Sequence, residues 1–428
     1  MSEEKFDAII VGAGLAGSTC AYLLAQAGLE CLVIDRGNFP GAKNMTGGRL
    51  YGHSLEKIIP NFAEEAPIER CIVHEKISFI DEERCTTMEH TTPVATDLES
   101  RSYTVLRSKF DQWLAEKAEN EGAGYIPGIR VDDLIVRDGK VCGIIAGDEE
   151  MEADMVILAD GVNSILGEKL GMVSQVTPHH CAVGVKEVIQ LSKQQINDRF
   201  GCSDNEGAAW LFAGMPSAGQ MGGGFIYTNE DSISLGVVFG LHNAGTTDKS
   251  VPQMLEDFKN HSAVKPLVEG GKSVEYSGHV VPEGGYAMLP KMVADGVIIT
   301  GDAAGLCLNV GYTVRGMDLA IASGAAAAKA AIKAKEDGDF SEATLSTYTT
   351  ELTNSFVMKD MKLYKALPEF LDNPRMFNEY PTMVTAMMND LFTVNGPSMP
   401  LRKTFLPHLK KVGFMNLIKD GVKGVRSI

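Results

Sequence analysis

The feature that most constrains the fold is the stretch GAGLAG at residues 12–17, which directly follows the apolar run FDAIIV at residues 6–11. A short apolar run of this kind is typical of a buried parallel strand, and the Ala/Leu-rich residues after GAGLAG favour a helix. A second apolar run, LECLVID at residues 29–35, completes a strand–helix–strand unit of the expected length. The sequence therefore predicts a nucleotide-binding α/β unit at its N-terminal end.

The glycines of this motif have separate tasks. Gly12 permits the tight turn, Gly14 lets a pyrophosphate approach the backbone, and Gly17 lets the helix pack on the strand, while the helix N-terminus attracts the anion. Asp35 ends the second strand, at the spacing expected for a carboxylate that binds an unphosphorylated adenosine ribose. The candidate binding residues here are Gly12, Ala13, Gly14, Leu15, Ala16, Gly17, Asp35 and Arg36. The motif alone does not distinguish NAD from FAD, and the alternative is a Gly-rich turn with no ligand.

Two later turns have the same context. ILADGVNS at residues 157–164 puts Asp160 and Gly161 just past a predicted strand, and ITGDAAG at residues 299–305 does the same for Gly301 and Asp302. Ligands bind at such strand ends in open α/β sheets. Each turn taken singly is more typical of an ordinary β-turn or a helix cap.

Together the three segments resemble the FAD-dependent enzymes that include aromatic hydroxylases and geranylgeranyl reductases. The resemblance implies that the two Gly-rich turns bind two stretches of one extended FAD, with Asp302 at its ribityl–pyrophosphate portion. It also implies that a helix opening near Gly311, Tyr312 and Thr313 points its N-terminus at the flavin ring. A helix dipole at that position would favour the negative charge of reduced flavin.

Two further positions follow from the same resemblance. VLRSKFDQWLAEKA at residues 105–118 resembles a segment whose arginine reaches the cofactor, which implies that role for Arg107. GIRVDD at residues 128–133 resembles a strand whose backbone reads the adenine, which implies that role for Val131. The alternative for Arg107 is a surface position on a helix.

A closer resemblance covers essentially the whole chain. GAKNMTGGRLYGHSLEKIIP at residues 41–60 resembles the segment near the flavin ring in the electron transfer flavoprotein–quinone oxidoreductase family, and AVGVKEVI and MGGGFIYTNEDSISLGVV strengthen the match. The chain looks most like the FixC-type branch, flavoproteins of electron transfer chains in nitrogen fixation or carnitine metabolism. The implied cofactor contacts in this segment are Ala42, Lys43, Asn44, Gly47, Gly48 and Arg49.

The cysteines depart from the larger members of that family, which carry a C-terminal ferredoxin-like domain with a four-cysteine cluster. The eight cysteines here are scattered without a CxxC pair, and none follows Cys307. We expect reduced thiols in a cytoplasmic protein, no metal site, and no catalytic nucleophile or base. The resemblance implies a separate small ferredoxin-like partner. His179 and His180 have no carboxylate or thiol at ligand spacing, which favours a polar loop.

The charge distribution is uneven. The net charge of -17 disfavours nucleic acid, but residues 401–428 hold seven Lys or Arg and one acid, Asp420. This basic tail is a candidate surface for docking an acidic protein, for contacting anionic lipid at the inner face of the cell membrane, or simply a solvated amphipathic helix. No apolar stretch reaches the length of a membrane span.

We therefore predict an α/β fold, a Rossmann-like FAD-binding domain with an inserted antiparallel β substrate domain and a helical C-terminus. The predicted divisions are residues 1–180 and 286–340 for the FAD-binding domain, 181–285 for the insertion and 341–428 for the helical region.

The predicted function is an FAD-dependent oxidoreductase that relays electrons from an electron transfer flavoprotein to a ferredoxin-like partner, a quinone or both. One alternative is a reductase or monooxygenase that acts on a small apolar substrate with NAD(P)H. Another is a non-catalytic FAD-binding subunit.

Overall fold

The structure is a computed structural model that describes residues 5–43, 48–175 and 177–427 of the 428-residue chain. Asn44 and Gly47, two of the predicted cofactor contacts, lie outside the described residues.

The strands are β1 (Phe6–Val11), β2 (Cys31–Asp35), β3 (Arg49–Tyr51), β4 (Ile68–Ile80), β5 (Cys85–Thr91), β6 (Ser102–Val105), β7 (Gly124–Pro127), β8 (Asp133–Arg137), β9 (Lys140–Ala146), β10 (Glu149–Leu158), β11 (Cys181–Gln190), β12 (Glu206–Gly214), β13 (Gly222–Thr228), β14 (Ser232–Gly240), β15 (Lys272–Pro282), β16 (Val293–Ala294), β17 (Val297–Ile299), β18 (Leu308–Asn309) and β19 (Val314–Arg315). The α-helices are α1 (Leu15–Gln26), α2 (His53–Glu56), α3 (Arg107–Asn120), α4 (Ile165–Lys169), α5 (Lys193–Phe200), α6 (Val251–Asn260), α7 (Lys265–Val268), α8 (Met317–Asp337), α9 (Glu342–Leu345), α10 (Thr347–Asn354), α11 (Phe356–Leu363), α12 (Leu367–Leu371), α13 (Glu379–Phe392), α14 (Leu401–Val412) and α15 (Phe414–Ser427).

The first sheet has the predicted Rossmann-like arrangement. Its strands run in the order β16-β17-β10-β1-β2-β7, and β17, β10, β1, β2 and β7 pair in parallel. Helices α1 and α8 pack against each other closely, because a Cβ at Gly324 would lie 2.2 Å from the carbonyl oxygen of Ala16. The α/β fold is confirmed, and the carboxyl ends of β1, β10 and β17 carry the three predicted turns along one edge of the sheet.

The second sheet is larger than the insertion that we predicted. Its strand order is β15-β11-β14-β13-β12-β4-β6-β3, with β5 paired to β4, so residues 49–105 contribute strands that we had assigned to the FAD-binding part. It is not purely antiparallel either, since β12 and β4 pair in parallel. Sequence patterning locates strands but not their long-range partners, so it predicted a sheet with too few strands. The boundaries at 180, 285 and 340 stay predictions.

Two local predictions were wrong. Residues 128–132 are not a strand, because β8 begins only at Asp133. No helix opens at Gly311–Thr313, since those residues connect the short strands β18 and β19, and α8 begins at Met317. Gly311 has φ +84°, a left-handed conformation that suits a turn and not a helix start.

The C-terminal region is helical, as predicted, and one acid anchors its basic end. Asp420 is buried on α15 and accepts hydrogen bonds from Arg375 and from the hydroxyl of Tyr380. The helix also packs on Phe370, whose ring would lie 2.9 Å from a Cβ at Gly424. Among the described residues, no helix is long and apolar enough to cross a membrane.

Candidate cofactor-binding site

Two cavities meet at the N-terminus of α1. One has a volume of about 420 Å³ and lies beside the ends of β1 and β2, and the other has about 260 Å³ and lies between the two sheets. Gly14, Ala159 and Gly161 line both cavities, so the two spaces adjoin at the Gly-rich turn. Adjoining cavities on either side of this helix N-terminus suit one long ligand with an anionic group in the middle, because the helix has no side-chain cap and no acid in its first turn.

The Gly-rich turn has the geometry that its sequence predicts. Gly12 has φ +104°, and a Cβ there would lie 2.3 Å from the carbonyl oxygen of Ala159. A Cβ at Gly17 would lie 1.9 Å from the carbonyl oxygen of Gly12. Both positions therefore require glycine, the first for the turn and for β10, the second for seating the helix on the strand.

Asp35 fixes the Gly-rich turn from the end of β2. Its Oδ2 accepts a hydrogen bond from the Ala13 backbone N–H at 2.7 Å, and its Oδ1 accepts one from the Gly37 N–H at 2.6 Å. Each carboxylate oxygen keeps a second acceptor site. The side chain also lines the larger cavity, so it can accept a further bond from a hydroxyl group bound there.

Asp160 brings an unsatisfied acceptor to the same cavity. Its Oδ1 is buried and makes no hydrogen bond to any of the described residues. Burial raises the pKa of this carboxyl to about 6, against the opposing backbone N–H groups of Asp160 and Leu166 and, to a lesser degree, the charge of Arg36. A buried oxygen without a partner is costly, so this atom fits a ligand that donates a hydrogen bond.

Arg107 is buried at the wall of the smaller cavity and is held by a residue that sequence reasoning missed. Its Nε donates to Asp111 Oδ1 at 2.7 Å and its Nη2 donates to Asp111 Oδ2 at 2.8 Å. Burial raises the pKa of the Asp302 carboxyl, and the charge of Arg107 opposes that shift. The Arg-x-x-x-Asp spacing, which puts both residues on one helix face, was the available clue to Asp111.

Most of the predicted contacts gather at these cavities. The larger one is lined by the predicted residues Gly12, Gly14, Asp35, Arg36, Lys43, Val131, Asp160 and Gly161. The smaller one is lined by the predicted residues Gly14, Leu15, Ala16, Gly48, Arg49, Arg107, Gly161, Gly301, Asp302 and Gly311.

Five predicted contacts do not line either cavity. Ala13 and Gly17 act through the backbone and packing of the turn, and Ala42 is absent from both walls. Tyr312 and Thr313 line a third pocket of about 160 Å³, which adjoins the smaller cavity at Arg49 and Val314. The helix expected to open there begins later, so Gly316 and Met317 bring the N-terminus of α8 to the smaller cavity instead.

The residues that sequence reasoning missed come from strands far away in the chain. His279 on β15 lines the larger cavity, and burial lowers its pKa. Glu283, Asn309, Cys307 and Tyr227 line the smaller one. Only the fold brings these positions together, although Asn309 stands within eight residues of the Asp302 turn.

Lys186 and the histidine pair have partners that are distant in the chain. Lys186 is fully buried and pairs with Glu275 at 3.1 Å. For the histidine pair, the fold brings His242 and Asp372 to His179, and one ligand atom from each of the three lies within 4.8 Å of the others. Asp372 Oδ1 lies 2.6 Å from His242 Nε2, and the His242 ring stacks on His179 with centroids 4.8 Å apart. That the chain has no metal site stays a prediction.

Comparison with protein families gives three matches along the chain. Residues 10–62 match an NAD(P)-binding Rossmann-like domain, and residues 181–281 match the ubiquinone-binding domain of ETF-QO, the electron transfer flavoprotein–quinone oxidoreductases. Residues 367–428 match the C-terminal domain of the ETF-QO/FixC family. The middle match covers the strands that wall the smaller cavity.

Full-length relatives agree with these matches. A probable electron transfer flavoprotein-quinone oxidoreductase, YdiS of Escherichia coli K12, is 58% identical over 429 residues and covers 100% of both chains. The protein FixC of the same strain is 60% identical over 426 residues and covers 99% of both. The chain belongs to the ETF-QO/FixC family. As a member of this family it is a flavoprotein oxidoreductase whose cofactor is FAD.

Solved structures share the fold of this ETF-QO/FixC member at low identity. A geranylgeranyl bacteriochlorophyll reductase-like protein from Thermoplasma acidophilum superimposes with a TM-score of 0.73 at 20% identity, over 98% of this chain and 99% of the other. A halogenase, PltM, in complex with FAD gives a TM-score of 0.63 at 14% identity, over 98% of this chain and 86% of the other.

Proposed function

We propose that the chain holds FAD extended across the two cavities, accepts electrons from an electron transfer flavoprotein and passes them to a quinone or a ferredoxin-like partner. The observation that carries this proposal is the junction of the cavities at the N-terminus of α1, lined from both sides by Gly14 and Gly161. An extended dinucleotide needs two spaces joined at an anion site, and a compact ligand does not.

The larger cavity suits the adenosine half. Asp35 would accept a hydrogen bond from a ribose hydroxyl, and the unsatisfied Oδ1 of Asp160 would accept a second donor. Val131 is buried at the wall between Arg130 and Asp132, where its backbone would face the adenine. The positive charges of Arg36 and Lys43 at the rim suit a ligand with two phosphates.

The smaller cavity suits the flavin ring and its ribityl chain. Asp302 would bind hydroxyl groups of the chain, and the N-terminus of α8 at Met317 would favour a negative charge on the reduced ring. When bound, FAD supplies the redox chemistry, and the protein binds, orients and tunes it.

Apolar side chains on the second sheet leave room for an apolar electron acceptor at the ring end. Leu211, Phe212, Phe225, Val238 and Val281 line the cavity and come from β12 to β15. These strands are within the part of the chain that matches the ubiquinone-binding domain. Their apolar wall therefore supports a quinone as an acceptor.

The basic tail supports contact with a membrane surface or an acidic partner. Phe414, Ile418, Val422 and Val425 are exposed on α15 at helical spacing, between 45% and 78% accessible. Lys and Arg side chains lie near them on α15 and on the preceding helix, α14. An exposed apolar stripe with basic flanks is the pattern of a helix that lies in a lipid interface.

The test of this function is an anaerobic titration of the purified FAD-loaded protein, followed by flavin absorbance. A reduced electron transfer flavoprotein should bleach the bound flavin, and NADH alone should leave it oxidised. Rapid bleaching by NADH would instead favour the alternative, a reductase or monooxygenase of a small apolar substrate. If neither NADH nor the reduced flavoprotein reduces the flavin, a non-catalytic FAD-binding subunit is favoured.

A further inference from the structure

Glu283 is a carboxyl group at the wall of the smaller cavity that no role described so far uses. It directly follows β15, and its backbone N–H donates to the carbonyl oxygen of His180 at 2.8 Å, which fixes its position. The side chain is half-buried and faces the cavity. It therefore lies at the end of the site that we assign to the flavin ring.

The only hydrogen bond that the described residues offer to this side chain comes from Asn309. Asn309 Nδ2 donates to Glu283 Oε2 at 3.4 Å. The orientation of that amide is fixed, because its Oδ1 accepts the Gly311 N–H at 2.9 Å. Since Asn309 donates to Oε2, a proton on the neutral acid would sit on Oε1.

The groups around Glu283 do not hold its side chain permanently in the charged or in the neutral form. Among the described residues, no Lys, Arg or His forms an ion pair with it. Burial also raises the pKa of the cavity's other carboxyl group, Asp302, but there the charge of Arg107 opposes the shift. The titratable neighbours of Glu283 include Cys181 and Cys307, thiols whose pKa values are raised by burial and by Glu283 itself. The ring of His180 lies beside the adjacent Gly284, where a Cβ would be 3.0 Å from it.

Burial without a cation raises the pKa of Glu283 to about 7, against the opposing hydrogen bond from Asn309. A group whose pKa lies near the working pH is the most effective general acid and base, since both forms are populated. Reduction of a flavin or a quinone consumes protons, and the apolar walls of this cavity offer few other sources.

We propose that Glu283 is the proton donor in the smaller cavity, where the flavin ring would lie. When an electron donor delivers two electrons to the oxidised group bound there, the O–H bond of Glu283 breaks and its proton passes to that group. The carboxylate then takes a proton from solvent, so each cycle consumes one solvent proton and leaves Glu283 unchanged. This inference rests on the proposed seating of FAD but not on the identity of any protein partner.

The test uses the FAD-loaded protein and reduced methyl viologen, a one-electron donor that brings no proton. Stopped-flow absorbance gives the rate of flavin reduction between pH 5.5 and 8.5, and anaerobic potentiometry gives the midpoint potential over the same range. Wild-type protein, Glu283→Gln, Glu283→Asp and a control, Glu342→Gln, are compared. Glu342 forms an exposed pair with Lys291 far from the cavity wall.

The wild-type reduction rate should fall about tenfold for each pH unit above 7, as the donor loses its proton. Glu283→Gln should reduce at least ~10² times more slowly at pH 6, with a flat pH profile. Its midpoint potential should keep the wild-type dependence on pH, because a donor that regains its proton from solvent changes the rate and not the equilibrium. Glu283→Asp should retain a pH-dependent rate, and Glu342→Gln should match the wild type.

Loss of the pH dependence of the reduction rate in Glu283→Gln, with the midpoint potential unchanged, supports the proposal. A Glu283→Gln protein that keeps the wild-type rate profile, or whose rate changes only as its potential does, overturns it. If Glu283→Gln fails to retain FAD, Glu283→Asp decides, because a shorter donor should shift the rate profile and an inert wall residue should not. None of these outcomes depends on an electron transfer flavoprotein, so failure of the proposed relay would be visible separately.

Discussion

Arg107 and Asp111 form a buried, two-bonded ion pair across one turn of α3, with N–O distances of 2.7 and 2.8 Å. Asp111 is fully buried and Arg107 is 8% exposed, yet Arg107 still lines the smaller cavity. Removal of the acid would leave a buried, unpaired cation at the cavity wall. Breaking the pair should therefore lower both the stability of the fold and the binding of the cofactor.

Asp111→Ala should therefore destabilise the protein by about 3–5 kcal/mol, the usual cost of breaking a buried ion pair from one side. Thermal unfolding of the FAD-loaded protein and the amount of FAD retained after gel filtration measure the effect, and both should fall. Glu152→Ala is the matched control, since Glu152 pairs with Arg137 on the surface and should cost about 0–1 kcal/mol. Equal melting temperatures for the two variants would contradict this reading of the pair.

Gly12→Ala should lower both FAD retention and the melting temperature. The new Cβ would lie 2.3 Å from the Ala159 carbonyl oxygen, so β1 and β10 would have to separate where the cavities meet. Gly28→Ala is the control, because Gly28 also has a positive φ, +79°, but nothing lies within 4 Å of its Cβ. The control should show only the backbone cost of about 1–2 kcal/mol, with FAD retained. A Gly12→Ala protein no worse than the control would argue against the tight approach.

Asp420→Asn should loosen α15. Asp420 accepts bonds from Arg375 Nε at 2.6 Å, Arg375 Nη2 at 2.8 Å and the Tyr380 hydroxyl at 2.6 Å. Charge-assisted bonds of this kind contribute about 1.5–3 kcal/mol, so amide hydrogen exchange in α15 should speed up roughly 10- to 100-fold at pH 7.

The effect of Asp420→Asn should depend on pH in a defined direction. The bonds from Arg375, the largest cause, hold the pKa of Asp420 well below its usual range. Its stabilisation is thus present above the unfolded pKa near 4 and is lost as the pH falls below that value. The difference in exchange between wild type and Asp420→Asn should shrink below pH 4, and Glu369→Gln, which removes an exposed pair with Lys423, should show no difference at pH 7. A difference that persists unchanged at pH 3 would contradict the assignment.

Ile418→Ser combined with Val425→Ser should weaken binding to anionic vesicles. Both side chains are exposed, at 61% and 78%, and each buried aliphatic side chain contributes roughly 1–2 kcal/mol at an apolar interface. Co-sedimentation with phosphatidylglycerol vesicles should fall at least tenfold, while Val274→Ser, an exposed control on β15, should bind like the wild type. Unchanged vesicle binding with reduced turnover toward a protein partner would assign the tail to that partner instead.

The sequence predicted the parts of the site that depend on local chemistry. The turns that contain Gly12, Asp160 and Asp302 could be recognised because a strand, a turn and a helix follow one another in the chain. Glu283 and Asn309 could not be predicted in the same way, because they meet only when β15 and the β18–β19 connection approach the same cavity. The helix expected at Gly311–Thr313 was wrong for a related reason. A glycine such as Gly311 suits a turn as well as the residue before a helix, and only the pairing of β18 with β19 decides between them.

The most direct measurement is a crystal structure of the FAD-loaded protein. We expect the adenosine in the cavity beside Asp35 and Val131, the pyrophosphate at the N-terminus of α1, and the ring beside Glu283 and Asn309. Density for the ring outside the cavity that Glu283 lines, or a cofactor folded into one cavity alone, would contradict the extended FAD on which the electron relay is based.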